Sequence, residues 1–312
     1  MTAWDLVRGH GYTLGPFLRR KIFPFSTPPT EKFLATLTDA QVGPVELTGE
    51  LLVRKSKTLL VLLHGLGGNI DSGYMRAGLY YASSLSPMVL LLNLRGADRR
   101  GFDFNHAGLV ADVDAALASE RFRDVEKVVI LGFSLGGHLA LSYAAGQPDP
   151  RLLRVAAISS PLDLSVSADT FDQGRFSVYR RHVMESLYQI YTRAYQRYPH
   201  GIVPEQARRI TKIRQWDEHV IAPRHGYQSA NHYYKEVSVS HKLAQLKVES
   251  LYVGALHDPM VPPRAAPIPP NTPHLRSVWV PEGGHLGFAQ NFGLGLAGPL
   301  GLEPQVLSWL LA

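Results

Sequence analysis

The chain has 312 residues, of which 45% are hydrophobic, 10% aromatic and 19% charged, a mixture that excludes a disordered tail, a collagen and a low-complexity scaffold. Thirty-two Lys and Arg against 26 Asp and Glu leave a formal charge of +6, which favours acidic partners weakly and is no nucleic-acid signature by itself. The absence of cysteine excludes a disulfide framework, a thiolate nucleophile and every zinc site built on Cys pairs.

Met1-Thr2-Ala3-Trp4-Asp5 leads to Arg19-Arg20-Lys21 without a continuous apolar core, which is not the order of a secretory signal, so a cytoplasmic protein is expected. No apolar run approaches the roughly 18 to 20 residues of a membrane-spanning helix; a peripheral membrane contact stays open. Residues 1 to about 35 read as an irregular arm, and two weakly alternating stretches from Phe33 to Val53, parted by Gly43-Pro44, read as a hairpin at a sheet edge. Arm and edge strands together make up residues 1–57.

Short continuous apolar runs follow at Thr58–Leu63, Met88–Leu94, Lys127–Leu131, Leu153–Ile158 and Val248–Val253. Each has the length and texture of a strand buried on both faces. Helical intervals such as Tyr74–Ser84 and Leu109–Ala118 separate them, the second with Asp112 and Asp114 near its start, where the helix dipole favours negative charge. The alternation predicts an α/β fold with a mostly parallel sheet and helices on both faces. A length of 312 residues would allow about two domains, yet α/β folds carry such lengths around one sheet, so a single domain over 1–312 is expected.

Residues 163–246 differ in texture and predict a helical cap inserted in that domain. Phe171, Phe176, Tyr179, Tyr188, Tyr191, Tyr195 and Tyr198 are interleaved with Arg175, Arg180, Arg181, Arg193, Arg197, Arg208, Arg209, Lys212 and Arg214. Tyr188, Tyr191 and Tyr195 share a helix face by their spacing. Aromatics packing the insertion with arginines in solvent is the plain reading; a substrate lid, or a surface for acidic head groups, is the sharper one.

Ser134, in Gly132-Phe133-Ser134-Leu135-Gly136, sits between an apolar run and a helix-compatible stretch. That is the pattern of a nucleophile elbow, in which flanking glycines let a strained turn lie against its neighbours. His64-Gly65-Leu66-Gly67-Gly68-Asn69 closes the first buried strand and can bring a backbone N–H beside Ser134, so Leu66 and Leu135 are the expected oxyanion donors. His64 is read as a brace for its loop. No Gly-Lys-Ser/Thr follows these glycines, which removes a phosphate-cradle reading. A serine needs a base and the base an acid. His285, in Glu282-Gly283-Gly284-His285, and Asp258, in Leu256-His257-Asp258-Pro259, both follow strand-like runs, in the chain order Ser, Asp, His. Asp163 competes as acid, and His257 or His138 could stand near the site. His182, His200, His219, His225, His232 and His241 show no metal-binding spacing.

Asn93-Leu94-Arg95-Gly96, Trp216-Asp217-Glu218-His219-Val220-Ile221-Ala222-Pro223-Arg224-His225-Gly226-Tyr227 and Tyr233-Tyr234 extend these motifs. With them the chain resembles the α/β-hydrolase superfamily and, more narrowly, its YheT-like esterases. It departs from the family where Ala97-Asp98-Arg99-Arg100-Gly101 follows Arg95-Gly96. The resemblance implies an α/β-hydrolase fold, with Ser134 as nucleophile, Asp258 as acid and His285 as base. It also implies a serine hydrolase that cleaves carboxylic esters of short- to medium-chain or lipid-like acyl groups through an acyl-enzyme. A small-molecule ester substrate, no nucleic-acid partner and no metal or organic cofactor are expected; the oligomeric state is open. The alternatives are acyl transfer to an alcohol from the same acyl-enzyme, and a non-catalytic scaffold on the same fold.

Overall fold

In the computed structural model, which describes residues 3–173, 177–270 and 272–312, the apolar runs are strands of an eight-stranded sheet. They are β1 (Glu31–Asp39), β2 (Gly43–Leu52), β3 (Thr58–Leu63), β4 (Met88–Leu92), β5 (Lys127–Phe133), β6 (Leu152–Ile158), β7 (Glu249–Ala255) and β8 (Leu275–Val280), in the order β1-β2-β4-β3-β5-β6-β7-β8. β1 and β2 pair antiparallel, and β2 runs antiparallel to β4; every later pair is parallel. The hairpin turns where the Asp39 carboxylate accepts the N–H groups of Gln41 and Val42, a side-chain turn that Asp favours.

Side chains of a strand alternate between faces, and β3 shows what this builds. Leu59, Val61 and Leu63 join α3 (Ala111–Leu117) and α4 (Leu135–Ala145) in one apolar layer. Leu60 and Leu62 join α2 (Gly73–Ser83) and α11 (Leu302–Leu311) in the other. Both faces of the central strands are covered, so their sequences read as unbroken apolar runs rather than alternating ones.

Between β6 and β7 lie α5 (Leu164–Asp172), α6 (Ser177–Arg197), α7 (Pro204–Ala207), α8 (Ile213–Trp216), α9 (Ala222–Arg224) and α10 (Ala230–Val237), with one π turn at Asp217–Ile221. These cap helices form a third apolar cluster around Leu187, Tyr191, Trp216 and Tyr233, which also takes in Leu135 beside the elbow. The arginines are not simply solvated: Arg208 lies over Tyr188, Arg214 over Tyr234 and Arg197 over Phe102. Arg175 and Phe176 fall outside the described residues.

The N-terminal arm is a correction. Ala3–Ile22 is α1, a 20-residue helix with Pro16 inside it; only the stretch up to Thr30 after it lacks regular structure. Pro16, Gly9, Gly11 and Gly15 lower its local propensity, which is why it reads as irregular, and tertiary contact supplies what propensity does not. An added Cβ at Gly9 would stand 1.9 Å from the carbonyl oxygen of His257, and one at Gly287 would stand 1.9 Å from that of Tyr12. The α1 backbone thus lies directly on the loops that carry Asp258 and His285. Among the described residues no helix is long and apolar enough to cross a membrane.

Candidate active site

Ser134 stands between β5 and α4 with φ +52° and ψ −119°, a conformation that costs a non-glycine residue energy and persists only where the surroundings impose it. An added Cβ at Gly132 would meet the Gly136 carbonyl at 2.3 Å, and one at Gly136 would meet that of Leu63 at 2.4 Å. The two glycines therefore let β5, α4 and β3 close on each other, and the Ser134 N–H is fixed on the Ile158 carbonyl at 2.8 Å. Leu135 is the first residue of α4, so its N–H has no acceptor within the helix.

The loop carrying Leu66 abuts the serine: an added Cβ at Gly65 would lie 3.0 Å from Ser134 Cβ. His64 braces this loop. Its Nε2 accepts the Leu94 N–H at 3.0 Å and its Nδ1 stands 2.8 Å from the Gly65 carbonyl, so the proton sits on Nδ1. Burial pushes its pKa down to about 4, against the Gly65 hydrogen bond, and the ring is neutral and structural.

Asp258 and His285 meet. His285 Nδ1 is 3.0 Å from Asp258 Oδ2, while Asp258 Oδ1 accepts the N–H groups of Met260 and Val261 at 2.8 Å each. Both side chains are buried. Thr13 of α1 accepts the backbone N–H of His285 at 2.9 Å and donates to the Gly9 carbonyl at 2.7 Å, and Leu286 follows with φ +57°. A residue of the N-terminal helix thus holds the turn on which the imidazole sits, a contact spanning most of the chain that no local sequence signal marks.

The competing residues are engaged elsewhere. Asp163 caps α5 through the Val166 N–H. His138 is enclosed between the carbonyls of Pro161 and Val237, with its pKa pushed down to about 4 by burial. His257 lies against Asp5 of α1 at 3.8 Å.

Ser134 and His285 line one cavity of about 750 Å³ that cap helices and α1 also wall. Its surface is mainly apolar, from Leu66, Leu164, Phe171, Val183, Leu187 and Ile221. It also carries Asp217, whose Oδ2 accepts the Tyr234 hydroxyl at 2.6 Å and whose pKa is pushed up to about 7 by burial. Arg99, in the segment that departs from the family pattern, also faces the cavity. Arg95 is buried and binds Asp39, Asp103 and Asp112, and Arg224 binds Asp39 and Asp103. Both arginines stand in the motifs that carry the family resemblance; their acidic partners are scattered along the chain.

A family model described as the alpha/beta hydrolase fold matches residues 58–292, about three quarters of the chain. The chain belongs to the α/β-hydrolase fold family. Among its relatives is YheT of Escherichia coli (strain K12), provisionally named an esterase, which is 27% identical over 81% of this chain and 76% of its own length. The medium-chain fatty acid ethyl ester synthase/esterase 2 of Saccharomyces cerevisiae is 26% identical over 74% of this chain and 58% of its own, so this chain spans little more than half of that relative. Among solved structures, a 2,6-dihydroxy-pseudo-oxynicotine hydrolase shares the fold with a TM-score of 0.57 and 18% identity, over 96% of this chain and 72% of that one. Several relatives of this α/β hydrolase, a monoacylglycerol lipase of Saccharomyces cerevisiae among them, are of esterase or lipase type, which supports hydrolysis of esters.

Proposed function

We propose that this α/β hydrolase is a serine esterase acting on carboxylic esters of short- to medium-chain or lipid-like acyl groups. The observation that carries the reading is the pairing of His285 with an Asp258 held by two backbone N–H groups, on the same cavity as a serine held in a strained elbow. Asp258 fixes the imidazole with its proton on Nδ1, leaving Nε2 to take the proton of Ser134 Oγ as the oxygen attacks the ester carbonyl. The N–H groups of Leu66 and Leu135 hold the oxyanion, at the positive end of α4. His285 then protonates the departing alcohol and activates the water that releases the acid. The apolar walls suit an acyl chain, since burying it removes apolar surface from water.

Hydrolysis of a p-nitrophenyl ester series from acetate to long chains tests this, with Ser134→Ala as control. Turnover with an optimum in chain length, lost in the variant, is the expected result. A chain that turns over no ester, and whose Ser134 takes no label from a fluorophosphonate, is a scaffold and not an esterase. The name of the yeast relative, a synthase as well as an esterase, supports a second reading, transfer of the acyl group to an alcohol. Added ethanol then diverts product from free acid to ethyl ester.

A further inference from the structure

The two faces of α1 differ in kind. Gly9, Thr13, Pro16 and Arg20 face the protein, where Thr13 holds His285 and Arg20 pairs with Glu303 at 2.8 Å. His10 adds a contact to the cap, 2.8 Å from the Tyr179 hydroxyl. The opposite face carries Trp4, Val7, Leu14, Leu18 and Ile22, three, four or seven residues apart and so along one stripe, with Gly11 between Val7 and Leu14. All are exposed, Trp4 by 77% and Ile22 by 67%, and Phe23, just past the helix end, has 72% of its surface free. Apolar side chains aligned like this on one helix form a contiguous patch, which marks an interaction site more strongly than scattered exposed residues do.

Charge narrows what could cover it. Arg8, Arg19 and Lys21 flank the stripe and are exposed, and the one acidic residue of α1, Asp5, lies on the inner side beside His257. Two copies of this face brought together would set these cations against each other, whereas an anionic surface would neutralise them. Apolar anchors with an indole among them, bordered by Arg and Lys, have the composition that lies in the boundary layer of a bilayer. Position adds the last point. Leu14, Phe17 and Lys21 of α1 and Val178 of α6 are exposed and also line the cavity, so the cavity opens beside the stripe.

We propose that the outer face of α1 docks on an anionic lipid bilayer and so sets the cavity mouth against the membrane. Trp4, Leu18 and Ile22 enter the acyl boundary, while Arg8, Arg19 and Lys21 meet the head groups. The docking surface does not depend on the catalytic assignment; only its use, delivery of a lipid-like ester from the bilayer into the cavity, rests on the esterase reading.

The 312-residue chain, and the same chain with Ser134→Ala, are sedimented with vesicles of phosphatidylcholine alone and of phosphatidylcholine with phosphatidylglycerol. Both proteins are expected to favour the anionic vesicles by about tenfold or more, since each cation near the surface contributes about 1 kcal/mol. The pair Trp4→Glu and Leu18→Glu lowers binding by at least about tenfold. The pair Arg8→Gln and Arg19→Gln, at exposed positions that leave the fold intact, lowers the anionic preference alone and carries the test should the first pair fail to fold. Brominated acyl chains quench tryptophan emission in the wild type and not in Trp4→Phe. Equal sedimentation of wild type and both paired variants overturns the proposal, as does binding without preference for phosphatidylglycerol. A dimer in size exclusion that the stripe variants dissolve, without vesicle binding, assigns the face to a second copy instead. Failure of ester turnover with vesicle binding intact sinks the esterase reading and leaves the docking surface standing.

Discussion

The serine side and the histidine side of the site are built in opposite ways. Ser134 is placed by neighbours in the chain: β5 before it, α4 after it, and glycines two residues to either side that let both close on β3. His285 sits on a turn secured from outside, by Asp258 through the ring and by Thr13 through the backbone. One side is local and stiff; the other depends on contacts between distant parts of the chain. A change at the serine side should therefore act through the reacting atom itself, and one at the histidine side through aim.

Ser134→Ala is the largest expected effect, a fall in kcat of about 10⁴-fold or more, read with the preferred p-nitrophenyl ester. Asp258→Asn comes next. An amide at 258 favours the wrong imidazole tautomer, and a loss of about 10³- to 10⁴-fold in kcat is expected; an activity near wild type would show that the contact with His285 is not catalytic. Thr13→Val sharpens the comparison. It removes the acceptor for the His285 N–H, and about a tenfold loss in kcat with KM little changed is expected. Thr13→Ser restores activity if the hydroxyl positions the turn, and does not if the threonine only packs.

The smallest effect concerns stability, through buried groups that titrate. The pKa of Asp217 is raised to about 7 by burial from an unfolded value of about 4. The native state therefore holds the extra proton, and its contribution is full below about pH 4 and lost as pH rises towards 7. Burial lowers His64 and His138 to about 4 and His106 to about 3, from an unfolded value of about 6.5. Their contribution is full above that pH and lost on acidification, so Asp217 offsets part of the acid sensitivity the histidines create. Asp217→Asn should raise Tm by a few degrees at pH 8 and steepen its fall between pH 7 and 4, measured by thermal melts across that range.

What could be read from the sequence follows the same division. The strands, the alternation with helices and the elbow are contiguous patterns, and the sheet carries them where expected. Asp258, His285, Asp163, His138 and His257 all look alike in sequence, as polar residues in turns or just beyond strands, and only packing separates a helix cap or an enclosed ring from a paired one. Thr13 carries no signal because its partner lies at the other end of the chain, and α1 is obscured by Pro16 and its glycines, which local propensity counts against a helix. Arg95 and Arg224 stand out in recognisable motifs, but the three aspartates that neutralise them do not.

Those aspartates give the cap a mechanical property. Arg224, at the α9 end, is bound to Asp103 and Asp39 and reaches Gln41 on the hairpin turn, and breaking a buried pair of this kind costs about 3 to 5 kcal/mol. The α6 end meets α1 at the rim of the cavity, through Tyr179 and His10. The cap is thus held by buried charge at the Arg224 end and by a single part-buried hydrogen bond and ring contact at the Tyr179 end. Backbone amides around Arg224 should therefore resist hydrogen exchange longer than those around Tyr179.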